Sequence, residues 1–599
     1  MTDPTSPTPQ ENHTVNNPSD PSGAPALPTS AAPAQPATDN PPSAKPGAAA
    51  NTAHEHVYPP PNQVVTIIIG LMMGMFLGAL DQTIVSTSIR TIADDLNGLS
   101  LQAWATTAYL ITSTIATPLY GKLSDIYGRR PFFLAAISIF ILGSALCTMS
   151  TSMYMLAAFR AIQGIGAGGL FSLALAIVGD IVPPRERAKY QGYFLAVFGT
   201  SSVLGPLIGG FFANADSILG VAGWRWVFLV NVPIGLLALV VVWRNLHVEH
   251  QRVDHKVDWL GAFTLMITLV PLLILAEQGR EWGWTSTNSM IAAGIGLVGL
   301  VLFIFAERAA GYEALLPTRL FSNRAIGIPL LLGALIGFGM FGAMMVLPLW
   351  LQIVHGANPM QAGLWMLPLM VGIMSASIMS GQLISRTGRY KIFPIVGTAL
   401  MAIGAFVLSR LTVDSSMWFV SLGMLIFGLG LGNNMQPLTL AVQNAADRRD
   451  MGIATSAATF FRQMGGTLGV AVFLSILFST VTDRIATAFQ AAIQTPDFQA
   501  ALRDPAVLSN PADQQILTAL QSGGGGGSNA VLNDSSFISQ LDPRLAHPFL
   551  VGFSEAMSTV LLTASAILAV TFLLTFFIPE RKIAERHPGP TPPAAESLA

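Results

Sequence analysis

Charge is scarce in this sequence. Of 599 residues, 30 are Lys or Arg and 32 are Asp or Glu, 10% in all, against a hydrophobic share of 52%. A soluble domain carries roughly 25% charged residues, because a water-facing surface must be covered with something polar. A long chain with so little charge is not a soluble globular protein, and bilayer is the remaining solvent. The mean hydropathy of +0.56 agrees. Cysteine is scarcer still: the single Cys147 excludes an intramolecular disulfide and a cysteine-based zinc site. A net charge of −2 gives no sign of a nucleic-acid partner. The chain holds no GxxxxGK[ST] phosphate loop, so no nucleotide is expected to drive it. It also lacks the clustered acid–base or His-rich set of a membrane-embedded enzyme. His247, His250 and His255 are too irregularly spaced to read as a metal site, and no cofactor is implied. The start of the chain lacks the basic-then-apolar order of a cleavable signal peptide, so the first long apolar segment is expected to be the membrane anchor.

Long apolar runs are abundant. Residues 1–60 are rich in Pro, Ala, Thr, Ser and Asn, a composition that cannot offset the entropy of ordering, and are expected to form a disordered cytoplasmic tail. Pro59, Pro60 and Pro61 read as a spacer or as a polyproline ligand. From Val64 onward, runs of about 20 residues recur, each able to span roughly 30 Å of hydrocarbon. They fall near 64–88, 101–120, 131–150, 152–180, 188–213, 226–245, 258–278, 288–308, 325–354, 360–384, 391–411, 416–444, 451–480 and 551–578. The expectation is an all-α polytopic membrane protein with fourteen transmembrane helices. The seventh and eighth runs are the weakest, joined by the polar turn Gln278-Gly279-Arg280-Glu281.

Lys and Arg cluster in alternate connections: Lys122, Arg129 and Arg130; Arg185, Arg187 and Lys189; Arg244, Arg252 and Lys256; Arg308, Arg319 and Arg324; Arg386, Arg389 and Lys391; Arg448 and Arg449; and then Arg581, Lys582 and Arg586. The positive-inside rule puts both termini in the cytoplasm, as an even helix count requires. The hydrophilic stretch 481–548, with its run Gly523–Gly527 and an amphipathic segment around Arg484–Ile493, would then be extracytoplasmic.

The sequence repeats itself internally. Gly121-Lys122-Leu123-Ser124-Asp125-Ile126-Tyr127-Gly128-Arg129-Arg130 is echoed by Gly381-Gln382-Leu383-Ile384-Ser385-Arg386-Thr387-Gly388-Arg389-Tyr390. Gly164-Ile165-Gly166-Ala167-Gly168 is echoed at nearly the same offset by Gly428-Leu429-Gly430-Leu431-Gly432. Two six-helix bundles in a parallel pseudo-repeat are the expected signature of a rocking-bundle transporter. The reading divides the chain into an N-terminal bundle at 61–247, inserted helices seven and eight at 248–312, helices nine to thirteen at 313–480, the loop at 481–548, helix fourteen at 549–579 and a cytoplasmic tail at 580–599.

At these motifs the chain resembles the major facilitator superfamily, in its fourteen-helix drug:proton antiporter branch. Leu80-Asp81-Gln82-Thr83, Gly205-Pro206-Leu207-Ile208-Gly209-Gly210 and the run from Trp224 through Asn231 to Gly235 narrow the branch. The resemblance implies a major facilitator fold in the inner (plasma) membrane. It also implies export of cationic or neutral lipophilic compounds driven by inward proton flow, with the bilayer and protons as partners, in a monomer. A cell-envelope lipid, an amino acid or a siderophore is the alternative cargo on the same fold.

Asp81 and Arg160 are the expected proton-coupling pair. A lone carboxylate in an apolar helix costs about 2.5–3.5 kcal/mol on insertion scales and normally faces a cavity or a partner. Asp81 lies about 25 Å along a helix starting at Val64, and Arg160 about 12 Å below the same surface, so their depths overlap. A purely structural bridge between the two is the rival reading. Gly121, Asp125, Gly128, Arg129 and Arg130 form the loop to which the resemblance gives a gating role, with the glycines suited to a tight turn and Asp125 near water. Gly199, Gly205, Gly209 and Gly210 would leave a groove on helix five and Pro206 a bend; the resemblance implies a hinge or seal between halves there, and plain close packing is the rival reading. Gln163, Glu277, Asn433, Asn434 and Arg462 are candidates for a substrate cavity; Gln163, Asn433 and Asn434, with Gln436 and Gln443, would line it or else tie helices together by hydrogen bonds. Glu277 ends helix seven and reads equally as an interfacial carboxylate, and Arg462, well inside helix thirteen, is expected to face protein or water.

Overall fold

The computed structural model describes residues 59–96, 102–213, 215–246, 257–521, 538 and 540–580. Residues 1–58, the three histidines at 247, 250 and 255, the glycine run at 523–527 and the residues after 580 lie outside it, together with the expectations placed on them. Each of the fourteen apolar runs coincides with helix. The long helices are α1 Pro61–Asp95, α2 Gln102–Tyr127, α3 Arg129–Cys147, α4 Met153–Ile181, α5 Pro184–Ala213, α6 Asn231–Asn245, α7 Trp259–Trp282, α8 Thr287–Ala310, α9 Arg324–Ile353, α10 Leu367–Thr387, α11 Ile392–Leu408, α12 Met417–Ala445, α13 Met451–Ile493 and α14 Pro543–Thr575. Among the described residues twelve helices are long and apolar enough to cross a membrane. The two that fall short are α2, diluted by Thr and Ser, and α11, which is brief. A two-residue ribbon, β1 Ser217–Ile218 with β2 Val221–Ala222, interrupts the all-α pattern before α6. Its turn residues Leu219 and Gly220 both take positive φ, as a type I′ hairpin turn requires.

Glycines decide how the helices pack, because a missing Cβ lets a backbone approach where a side chain would collide. A Cβ on Gly164 or Gly168 of α4 would strike the α2 backbone at Tyr109 or Ser113, and one on Gly166 would strike α3 at Ala136 and Phe140. The echo in α12 behaves the same way. A Cβ on Gly428 or Gly432 would strike α10 at Leu369 or Ile373, and one on Gly430 would strike α11 at Gly397 and Met401. Each glycine triplet therefore wedges one helix between two others, in the same order in both halves. The repeat is a repeat of packing as well as of letters.

Several boundaries differ from the expected ones, for local physical reasons. α1 runs on to Asp95, which brings Asp81 nearer the middle of its helix. The residues of the polar turn Gln278–Glu281 sit in the last turns of α7, and the chain reverses at Gly283, φ 83°. The segment around Arg484–Ile493 is not a separate amphipathic helix but the end of the 43-residue α13. Ile485 and Phe489, four residues apart on one face, bury it against α14, where a Cβ on Gly552 would meet the Ile485 backbone. α14 itself begins at Pro543, and short helices at Pro496–Ala501, Pro505–Ser509 and Pro511–Gln521 lie between them. The described part of the 481–548 stretch is thus anchored by Phe498, Val507, Leu517 and Leu541 to the apolar core of the C-terminal half.

Candidate functional site

Among the described residues Asp81 is the most enclosed carboxylate of the N-terminal half, with no exposed surface, and donors surround it. Arg160 of α4 reaches its Oδ2 through a guanidinium nitrogen at 2.6 Å. Gln163 Nε2 and Asn231 Nδ2 each donate to its Oδ1 at 2.8 Å. Ser144 Oγ of α3 takes second bonds from those same two amides, at 3.2 and 3.0 Å. Arg160 is equally confined: it donates to Gln163 Oε1 at 2.8 Å and to the Ala105 carbonyl at 3.3 Å, and lies 4.1 Å from the Tyr109 ring centroid. Four helices, α1, α3, α4 and α6, each supply a side chain to the cage, and α2 adds the aromatic face and the carbonyl. Removing one partner of a buried pair such as this costs about 3–5 kcal/mol, because the other charge is left uncompensated. The expected pairing of Asp81 with Arg160 is therefore present as direct contact. Of the two readings of Gln163, a cavity wall or a hydrogen-bonded tie between helices, the contacts match the second: it belongs to this cage. Asn231 and Ser144 join it without a role expected from sequence; Asn231 stands in view within the motif entering α6, whereas a serine in an apolar run gives no signal.

The second cluster joins the two halves. Asp125 Oδ1 accepts from Gly452 N at 3.1 Å and Oδ2 from Ile453 N at 2.8 Å, so a carboxylate on α2 caps the N-terminus of α13. Such a helix end carries unpaired N–H groups and partial positive charge, and favours an anion. Arg129 closes the cluster with a 2.6 Å bond to Asp125 and a 2.7 Å bond to Asp180 of α4. Arg130 instead donates to the Trp243 carbonyl at 2.6 Å, holding the end of α6. Two expectations change here. Gly121 is not in a turn but within α2, where a Cβ would collide with Ser456 and the Gly452 carbonyl of α13. Asp125 is 8% exposed and Lys122 1%, so this is a packed junction and not a solvated loop. Only Gly128, φ 103°, makes the turn. Gln191 of α5 donates to Gln443 Oε1 at 3.0 Å, and Gln443 to the Leu175 carbonyl at 3.1 Å, so the halves are also pinned by amides.

Comparison with known proteins gives this arrangement a family. The Major Facilitator Superfamily profile matches residues 71–470. The chain belongs to the Major Facilitator Superfamily. Among its relatives, the multidrug transporter protein MdtP of Bacillus subtilis is 39% identical over 412 residues, covering 69% of this chain and 75% of the relative. Multidrug resistance protein 3 of the same organism is 35% identical over 426 residues, covering 71% and 81%. A solved structure of the superfamily proton:xylose symporter XylE, with 6-bromo-6-deoxy-D-glucose bound, superposes with a TM-score of 0.54 at 15% identity, covering 87% of this chain and 96% of that one. Fold and membership make this a multi-pass membrane transporter and not an enzyme.

Within this superfamily fold, the helix-five motif divides its work between two faces. Gly205 and Gly209 let α1 approach: a Cβ on either would collide with Thr83 or Thr87, and Thr83 Oγ1 donates across to the Ser201 carbonyl at 3.0 Å. Gly199 faces Met374 of α10, and Pro206 meets Gly363, so the adjoining face, about a quarter turn away, touches the C-terminal half. Gly210 contributes to neither, having nothing within 4 Å of where its Cβ would stand. The groove is thus a packing surface for α1 on one side and a contact surface against α10 on the other.

The remaining cavity candidates separate. Asn434 is fully buried, accepts from Thr398 Oγ1 at 3.0 Å and donates to the Gly430 carbonyl at 2.9 Å, so it fastens α12 to α11. Asn433 donates to the Leu429 carbonyl of its own helix at 2.8 Å. Glu277 stands in α7, and its side chain lies outside the described residues. Arg462 borders a void of about 10 Å³, room for about one water, together with Pro329, Ile336, Met435, Leu438 and Thr439 from α9 and α12.

Proposed function

We propose that the protein is a proton-coupled antiporter that exports lipophilic small molecules across the cytoplasmic membrane by alternating access. Asp81 carries the coupling proton, and both termini are cytoplasmic. The observation that carries this reading is the Asp81 cage, a carboxylate with no exposed surface held by Arg160, Gln163 and Asn231 inside a membrane bundle. A group of that kind can exchange a proton only when its donors part, which ties protonation to movement of the helices that supply them. The names of the bacterial relatives support drug efflux as the direction and class of transport. Alternating access is supported by the Asp125 junction: its acceptor and its donors lie in different halves, so it must break when the bundles separate at that end. On the charge distribution that end is cytoplasmic and is shut here.

Inverted vesicles loaded with this protein test the reading. With an acid-inside gradient they should accumulate a labelled lipophilic drug, lose it on addition of an uncoupler, and fail to accumulate it with Asp81→Asn. Accumulation that survives the uncoupler would sink proton coupling.

A further inference from the structure

The inserted helices meet on a pair of buried carboxylates that the proposed transport cycle does not use. Asp258 immediately precedes α7 and Glu307 lies in the last turn of α8; they are 9% and 2% exposed. Each has one oxygen held by a backbone N–H. Gly261 N donates to Asp258 Oδ1 at 2.7 Å, and Leu316 N donates to Glu307 Oε2 at 2.9 Å. The other two oxygens, Asp258 Oδ2 and Glu307 Oε1, are buried and have no hydrogen-bond partner among the described residues. They converge on one place: both lie within 2.9 Å of where a Cβ on Gly261 would stand. The segment that follows α8 is packed down by Ala314, Leu315 and Leu316, all buried, which keeps the Leu316 N–H against Glu307.

Two ionised carboxylates repel strongly in so small and dry a space, and the usual outcome is that one keeps its proton. A single proton also satisfies both unpartnered oxygens, because it makes one of them a donor and leaves the other as its acceptor. The surroundings assign the roles. Asp258 caps α7: its Oδ1 accepts from Gly261 N and its carbonyl from Ala262 N at 3.0 Å, a position that favours the anion. Glu307 stands at the opposite kind of helix end, where a second anion is disfavoured. Lys122 of α2 is the charge that acts on Glu307 from a neighbouring helix, and it lies among Asp125, Glu313, Arg319 and Asp450; Arg308, next to Glu307 along α8, is exposed. A divalent cation takes about six or more oxygen ligands, and among the described residues no cluster of three or more Asp, Glu, His or Cys side chains could hold a metal. We propose that Asp258 and Glu307 bind one proton between them, donated by Glu307 Oε1 to Asp258 Oδ2. This is a protonatable site separate from Asp81, and it fastens α7 to α8 until the proton is lost. It does not rest on the export reading.

The test is difference infrared spectroscopy of the full chain in nanodiscs between about pH 6 and about pH 10. The wild type should show the C=O band of a protonated carboxyl that is lost at the higher pH, that Asp81→Asn retains, and that Asp258→Asn and Glu307→Gln each lack. Both amide variants should fold, since the new amide can donate to the remaining carboxylate while its oxygen keeps the backbone N–H. Melting temperatures give the second reading. Wild type and Glu307→Gln should agree at the lower pH, and the wild type alone should fall as pH rises and the pair gives up its proton. A band that survives either amide substitution, or a difference in melting temperature that does not widen with pH, overturns the proposal. A wild type without the band overturns it as well, and a melting temperature that then rises with added sodium or magnesium would give the two oxygens to a cation. Asp81→Asn should leave both readings unchanged whether or not it abolishes gradient-driven export, so the two proposals can fail separately.

Discussion

Replacing Asp125 by Asn should unlatch the shut end of the transporter. The carboxylate accepts one N–H from Gly452 and one from Ile453, and an Asn side chain has a single oxygen to offer the two donors. At least one bond to a charged acceptor is lost, about 1.5–3 kcal/mol, and the favourable interaction of an anion with the start of α13 goes with it. Arg129 keeps Asp180, so no cation is stranded. The expected net change is about 2–3 kcal/mol, which moves the shut-to-open ratio at this end by about 30- to 150-fold. Because the donors lie in the other half, the penalty falls on the shut state alone. Electron–electron distance measurement can read the shift, with spin labels at Tyr127 and Arg386, both near the helix ends that carry the motif and its echo, in a Cys147→Ala background. A minor population at long distance in the parent should become a major one in Asp125→Asn. An unchanged distance distribution in a monodisperse, folded variant would refute the reasoning.

Gly121→Val should act in the same direction from the opposite side of the contact, since its branched side chain would collide with Ser456 and the α13 backbone when that end is shut; the same labels should report a larger open fraction. Asn434→Ala should lower thermal stability by about 1–3 kcal/mol, as expected for a buried hydrogen-bonding group removed from between α11 and α12, with cargo preference unchanged. Topology is checked with single cysteines at Arg386 and Gln499, again in the Cys147→Ala background. An impermeant thiol reagent on intact cells should label Gln499→Cys and spare Arg386→Cys, and the reverse pattern would invert the orientation.

The cage is half legible in the sequence. Asp81 and Arg160 stand out because a lone charge in an apolar run has no bland explanation, and their depths can be compared at 1.5 Å per residue. Asn231 and Ser144 are as essential to the geometry, yet a neutral amide or hydroxyl is ordinary in such a run, and nothing in its spacing marks the residue it faces. Asp125 shows a different limit. Its donors are more than three hundred positions away along the chain, so no local pattern can reveal that it caps α13. Gly121 reads as a turn residue for a related reason. Glycine serves turns and close helix contacts alike, and only the partner helix distinguishes them. The boundaries of α13 and α14 escape a hydropathy reading because Ile485 and Phe489 bury only one face of a polar segment, which carries too little apolar length to read as a span.

That Asp81 carries the coupling proton is tested most directly by substrate-induced proton release from the purified transporter in proteoliposomes. The wild type should release protons when a transported lipophilic compound is added. Asp81→Asn keeps the size of the side chain and can still accept one hydrogen bond from the Arg160–Gln163–Asn231 cage, so it should fold, bind the compound and release none. Proton release by Asp81→Asn at near wild-type stoichiometry would contradict the account and place the coupling site elsewhere, with Glu277 the next carboxylate to replace.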